Sequence, residues 1–233
     1  MNGVELIAAA RKEGRTALDE LSGKQLLAGF AVNIPKSVTV PDAAAVSAAI
    51  AGLKPPFAVK VMSPDILHKS DAGGVKIGLR SAQEVAHAIE AMAASPAIGN
   101  SRVEGYLVEE MAPAGQEIVV GAVRDPDFGP MIMVGLGGIF VEVLADVAFR
   151  ICPITRLDAV EMLDELKGAA ILAGARGRPA VSRDAIIDVL LKIGGDDGLL
   201  VRHADDFKEA DINPLIVSAT GAVAVDARFI LAN

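Results

Sequence analysis

The sequence predicts an α/β protein organised as two lobes. Three patterns point there. Strand-length apolar runs, such as Phe57-Ala58-Val59-Lys60-Val61-Met62, alternate with segments whose apolar residues recur at helical spacing, such as Val85, Ile89 and Met92. Ser or Thr stands three residues ahead of an acidic residue at Ser81–Glu84 and Thr155–Asp158, the spacing of a helix-capping box. The composition shifts near residue 100, from mixed helical and extended segments to a series of strands, which suggests lobes of similar size.

Residues 4–28 read as helical, with Ser22 and Gln25 spaced for a restart ahead of Leu26 and Leu27. Pro35 and Pro41 bracket an extended stretch, Lys36 to Val40. Asp42 can cap an Ala-rich helix that ends near Gly52. Pro55-Pro56 stops that helix, and the apolar run Phe57 to Met62 follows as a strand. A polar loop, Ser63 to Gly74, leads to Val75, Ile77 and Leu79, whose alternation predicts a half-buried strand. The Ser81 helix ends at Ser95-Pro96, and a Gly/Asn/Ser linker follows.

Strands are expected over 105–111, 117–123 and 131–135, separated by Pro113, Gly115, Asp125-Pro126 and Gly129-Pro130. Gly135-Leu136-Gly137-Gly138 comes next, then a short strand over 147–151. Thr155 and Ser182 each cap a helix, with Val160, Leu163 and Leu166 on one apolar face and Ile186, Leu190 and Ile193 on the other. The chain ends in two β-runs, 210–217 and 222–230, around a Ser-Ala-Thr-Gly turn.

Hydrophobic residues make up 52% of the 233 residues and charged residues 22%, which excludes a disordered chain. No apolar run reaches the roughly 18 residues of a membrane helix, and no basic n-region precedes an apolar core at the start. A single cysteine, Cys152, excludes an internal disulfide and fits a reducing compartment, so the expected location is cytoplasmic. A net charge of −8, no Trp and one Tyr leave neither a basic footprint nor a stacking platform for nucleic acid. A small-molecule task remains.

The terminal hairpin carries the most chemistry. If its turn is centred between Ala219 and Thr220, Asn213 faces Asp226 and Asp211 faces Arg228. Residues 211 and 213 share a face because side chains alternate along a strand. Opposed Cβ atoms lie about 4.5–5.5 Å apart. Hard oxygen donors so close together suit Mg²⁺, which takes one or two carboxylates plus substrate phosphates. Arg228 can meet a phosphate oxygen. The same pattern describes a solvated polar face with an ordinary Asp211–Arg228 ion pair, and Pro214 could bring a bulge that shifts the register.

Lys60, inside an apolar strand, is either a phosphate-binding lysine or an outward-facing lysine on an edge strand. His68 lies in a loop with Lys69 and the glycines 73 and 74, where it can meet phosphate or simply be solvated. The Gly135–Gly138 cluster can present N–H groups to an anion or serve packing. Gly23-Lys24 is followed by Gln25, so there is no Walker P-loop. Cys152 reads as core, and the three histidines have no zinc spacing.

Five segments together, PDILHKSDAGG (64–74), DPDFGP (125–130), GLGGIFVE (135–142), LAGARG (172–177) and DINP…VDAR (211–228), resemble the β subunit of ADP-forming acyl-CoA synthetases. That subunit is an ATP-grasp domain related to the succinyl-CoA synthetase β subunit. The resemblance runs from about Lys24 to Leu231. It implies an α/β (α+β) ATP-grasp fold whose two lobes, with mixed or antiparallel sheets, clamp ATP or ADP. The expected division is an N-terminal helix over 1–20, one lobe over 21–104, and a second over 105–233 with the metal hairpin.

By the same resemblance, Lys60 reaches nucleotide phosphates. Val108, Glu109, Glu110 and Met111 form the hinge that reads adenine through backbone groups. Glu117 lies near the ribose, and Asn213 and Asp226 hold Mg²⁺. His68 accepts phosphoryl from a phosphohistidine on an α subunit and passes it to ADP, in acyl-CoA + ADP + phosphate ⇌ acid + CoA + ATP. The CoA site and the first histidine belong to that α partner. Two alternatives stay open: a regulatory nucleotide-sensing module, against which His68 argues, and a stand-alone ATP-grasp carboxylate ligase.

Overall fold

The computed structural model describes residues 2–66, 69–138, 145–174 and 179–232. Asn2 opens α1 (Gly3–Lys12) with a capping box: its Oδ1 accepts the Glu5 N–H at 3.0 Å, and Glu5 Oε2 accepts the Asn2 N–H at 2.8 Å. Gly14 then turns the chain at φ +70° into the short strand β1 (Ala17–Leu18). Asp19, not Ser22, caps α2 (Glu20–Gly29), accepting the Ser22 N–H at 2.9 Å. The helical segment expected over 4–28, with a restart at Ser22, is therefore two helices around a short strand, the second beginning at Glu20. A carboxylate with β-region backbone takes the cap, and Ser22 falls inside the helix.

The strand β2 (Ser37–Val40) leads to Asp42, which caps a 3₁₀ turn (Ala43–Ala45) that runs into α3 (Val46–Ala49) and a second turn (Ile50–Gly52). The strands β3 (Phe57–Met62) and β4 (Val75–Leu79) follow. Then come α4 (Ala82–Ala94), capped by Ser81 as expected, and a short turn of helix, α5 (Pro96–Gly99), where a linker was anticipated. β4 is not half-buried: it is the sheet's edge, and Ile77 is 67% exposed.

Next are β5 (Gly105–Glu110), β6 (Gln116–Asp125), β7 (Gly129–Leu136) and β8 (Val147–Ile151). The capping box of Thr155 and Asp158 starts α6 (Arg156–Glu165), and Ser182 starts α7 (Arg183–Gly194), both as the spacing predicts. A short α8 (Leu199–Arg202) precedes β9 (Phe207–Val217), β10 (Ala222–Ala224) and β11 (Arg228–Leu231).

Two compact units result, one of residues 1–34 with 113–233 and one of residues 35–112. The division falls at 34/35 and 112/113 rather than at 20/21 and 104/105. Two contacts explain it. Leu6, Ile7, Leu26 and Leu27 of the leading helices bury in the same apolar cluster as β6, β7 and β9, and β1 pairs with β11. β5 is bonded to both β2 and β3, which ties it to the smaller unit.

The larger unit holds a seven-stranded sheet in the order β1-β11-β9-β6-β7-β8, with β10 also on β9. The smaller holds four strands in the order β2-β5-β3-β4. Every pairing is antiparallel. In the larger sheet Ile118, Val120, Ile132, Val134 and Ile212 point into the core with Met162 of α6 and Leu190 of α7. Each such side chain contributes about 1.5–3 kcal/mol of burial. The alternate residues, among them Glu117, Gly121 and Asp211, lie on the opposite face.

Candidate functional site

Lys60 is not on an edge. Its strand β3 runs between β5 and β4, and the side chain is 5% exposed. Glu109, 1% exposed, answers it across the sheet: Lys60 Nζ lies 3.1 Å from Glu109 Oε2. Lys60 pairs with Leu107 and Ala58 with Glu109, so the two charges are diagonal neighbours on one face. Val59, Val61 and Val108 occupy the other face, in the smaller unit's core. An ammonium placed in this setting needs an anion, and the Glu109 side chain supplies one.

The residues expected to form the hinge, Val108 to Met111, lie where β5 ends. The Glu110 N–H donates to the Lys36 carbonyl at 2.9 Å and the Met111 N–H to the Pro56 carbonyl at 3.0 Å. Glu110 Oε1 accepts the Lys54 N–H at 2.9 Å. Met111 lines an open pocket with Pro55, Pro56, Gly78 and Arg80. Both backbone donors at the end of the strand are therefore engaged.

In the larger unit the hairpin keeps the expected register. Arg228 pairs with Asp211, Ala222 with Val217 and Ala224 with Leu215. Val225 to Ala227 leave the ladder, although the Val225 N–H still reaches the Pro214 carbonyl at 3.0 Å. Asn213 and Asp226 therefore stand opposite each other in a gap between two paired stretches. The bulge that Pro214 suggests exists, but on the other side. Against β6, Leu215 pairs with Ile118 and Ile212 with Val120, so Asn213 and Pro214 together face Val119. This lets Ile212 and Leu215 both point inward while Asn213 is exposed.

The electrostatics of the gap favour a cation. Burial pushes the Asp211 carboxyl above its ordinary value. The Asp226 and Glu209 carboxylates push it the same way, and Arg228 opposes them. Asp226 Oδ1 accepts the Ala227 N–H at 2.8 Å. The donors are an amide oxygen and carboxylates, which fits Mg²⁺. Among the described residues no group of three or more His, Cys, Asp or Glu forms a metal cage by itself.

Glu117 is exposed on β6. Its carbonyl accepts the Gly137 N–H at 2.8 Å, and a Cβ on Gly137 would stand 2.8 Å from Glu117 Cβ. Close strand packing thus accounts for Gly137. Cys152 is core, as expected, and burial pushes its thiol up to about 12. His68 lies outside the described residues, as do residues 139–142 and 175–177 of the quoted motifs.

Two features were not visible beforehand. One is the Glu109 side chain, expected only as a backbone contact. The other is a fully buried Lys24 paired with Glu20 on α2, at 2.8 Å. Its only sequence signal is the i,i+4 spacing of opposite charges in an apolar helix.

Residues 9–231 match the family model described as an ATP-grasp domain. The chain is 40% identical over 234 residues to the acetate–CoA ligase [ADP-forming] I subunit beta of Pyrococcus furiosus, covering 97% of each chain. Among solved structures it superposes, with a TM-score of 0.91 and 36% identity, on an acetyl-coenzyme A synthetase 1 of Ca. Korarchaeum cryptofilum in complex with coenzyme A and Ca-AMPCP. That match covers 97% of this chain and 98% of the other. A second structure of that enzyme contains Mg-AMPPCP, with a phosphohistidine segment pointing towards the nucleotide-binding site. It matches at a TM-score of 0.84 and 35% identity, over 98% of this chain and 99% of the other. With this fold and these full-length matches, the chain belongs to the ATP-grasp family, among the β subunits of ADP-forming acetate–CoA ligases.

Proposed function

We propose that this chain moves phosphoryl between ATP or ADP and a phosphohistidine carried by a partner α subunit. The overall reaction is acyl-CoA + ADP + phosphate = carboxylic acid + CoA + ATP. The observation that carries the reading is the interrupted hairpin, where Asn213 and Asp226 face each other beside the crowded Asp211 carboxyl. Mg²⁺ held there would neutralise phosphate charge. Lys60 and Arg228 would meet phosphate oxygens. Val108 to Met111 would receive the adenine amino group on backbone carbonyls, and Glu117 would receive a ribose hydroxyl.

His68 is assigned the relay by the resemblance of its loop motif to the family's loop histidine. A neutral imidazole is a competent phosphoryl acceptor. The loop that carries it is bounded by Pro64 and by Gly73-Gly74. The α partner would supply the CoA site and the first histidine, in an α₂β₂-type assembly in the cytoplasm.

Calorimetry tests the nucleotide half. Asp226→Ala should abolish the Mg²⁺-dependent part of ADP binding. Unchanged Mg²⁺-dependent affinity in that variant would remove the metal assignment.

A further inference from the structure

Lys24 has no exposed surface. Its Nζ lies 2.8 Å from Glu20 Oε1, one turn earlier on α2, and 3.4 Å from the carbonyl oxygen of Val225. A buried ion pair adds little net stability, and apolar groups of the same size often serve as well. The location of this one is informative. Val225 to Ala227 is the stretch that leaves the hairpin ladder, and Asp226 is its middle residue.

A stretch without ladder bonds must be fixed by other means. The Val225 N–H is held by the Pro214 carbonyl, and the Val225 carbonyl by Lys24. Ala227 is buried, and its carbonyl oxygen lies 2.8 Å from where a Cβ on Gly23 would stand. The α2 backbone therefore lies directly behind the stretch, and Lys24 is its polar anchor.

We propose that Lys24, itself locked by Glu20, is a positioning residue for the cation site. It holds the Val225 carbonyl and so sets where the Asp226 carboxylate stands. It touches neither nucleotide nor cation. The inference rests on Asp226 being a cation ligand. Ordering the carboxylate in advance removes a cost that the cation would otherwise bear on binding, as outer partners of metal ligands do elsewhere.

The test uses the full chain. Lys24→Met alone removes the ammonium that answers the buried Glu20 carboxylate. The double variant Glu20→Gln/Lys24→Met leaves no charge there. Calorimetry of ADP is run across a Mg²⁺ series and again in EDTA. The double variant should need about tenfold more Mg²⁺ for half-maximal binding, with metal-free ADP affinity unchanged. An equal loss of metal-free affinity would mean general disruption and overturn the proposal.

Asp226→Asn run in parallel separates the two readings. If it raises the Mg²⁺ requirement and the double variant does not, the Lys24 role fails alone. If neither variant raises it, the metal reading fails as well. A measurement on the unmodified chain needs no variant: Mg²⁺ added with ADP should shift the Lys24 ammonium resonance. An unmoved resonance would count against the coupling.

Discussion

Lys60 shows what a single residue in a sequence reveals. A lysine inside Phe57-Ala58-Val59-Lys60-Val61-Met62 leaves two readings open, a buried phosphate-binding charge or an outward-facing one on an edge strand, and the central position of β3 decides for burial. The run does not announce the partner, because Glu109 reaches the lysine only once β3 pairs with β5. The pair also sets up a decisive experiment. Lys60→Met alone should cost about 3–5 kcal/mol in a urea melt, since Glu109 is left charged and buried. Adding Glu109→Gln should recover most of that stability. On the proposed phosphate-binding role of Lys60, ADP affinity should stay low in both variants. A double variant that recovers affinity together with stability would make Lys60 a structural residue only.

At the scale of elements, the terminal hairpin was legible and its interruption was not. Turn residues and two β-runs set the register, and the pairs Asp211–Arg228 and Val217–Ala222 follow from it. The gap at Val225–Ala227 depends on Pro214, on the bulge against β6 and on the packing of α2 behind it. Pro214 was visible in the hairpin sequence as a possible bulge, but the pairing with β6 and the packing of α2 are not properties of that sequence. The start of α2 gives the complementary lesson. Spacing nominates Ser22 as a cap, but Asp19 precedes it and takes the role, accepting both the N–H and the hydroxyl of Ser22 at 2.9 and 2.8 Å. Asp19→Ala should therefore lower stability by about 1 kcal/mol. Ser22→Ala should cost less. Denaturant midpoints check this, and a larger loss from Ser22→Ala would restore the spacing-based assignment.

For the whole molecule, most strands of both sheets were readable from apolar patterning and turn residues, but β1, the antiparallel pairing and the grouping of the chain were not. Amphipathic helices at residues 3–12 and 20–29 declare that they bury a face, not that they bury it against strands that begin only at Gln116. The chain leaves the larger unit at residue 34 and returns at 113, so the larger unit closes only when both termini are present. The phosphoryl chemistry is incomplete in another sense. The described residues offer oxygen donors and cations suited to a nucleotide, and the assigned acceptor is His68. On this reading the acyl and CoA steps take place on the α partner. The purified chain should then bind Mg-ADP yet form no acyl-CoA from acid, CoA and ATP, and adding the α subunit should restore turnover. With γ-labelled ATP, the assembled enzyme should carry acid-labile phosphate on this chain, and His68→Ala should remove both label and turnover while leaving Mg-ADP binding nearly intact. Thioester formation by the chain alone would refute the division of labour. Near-normal turnover without His68 would refute the relay and leave the division standing.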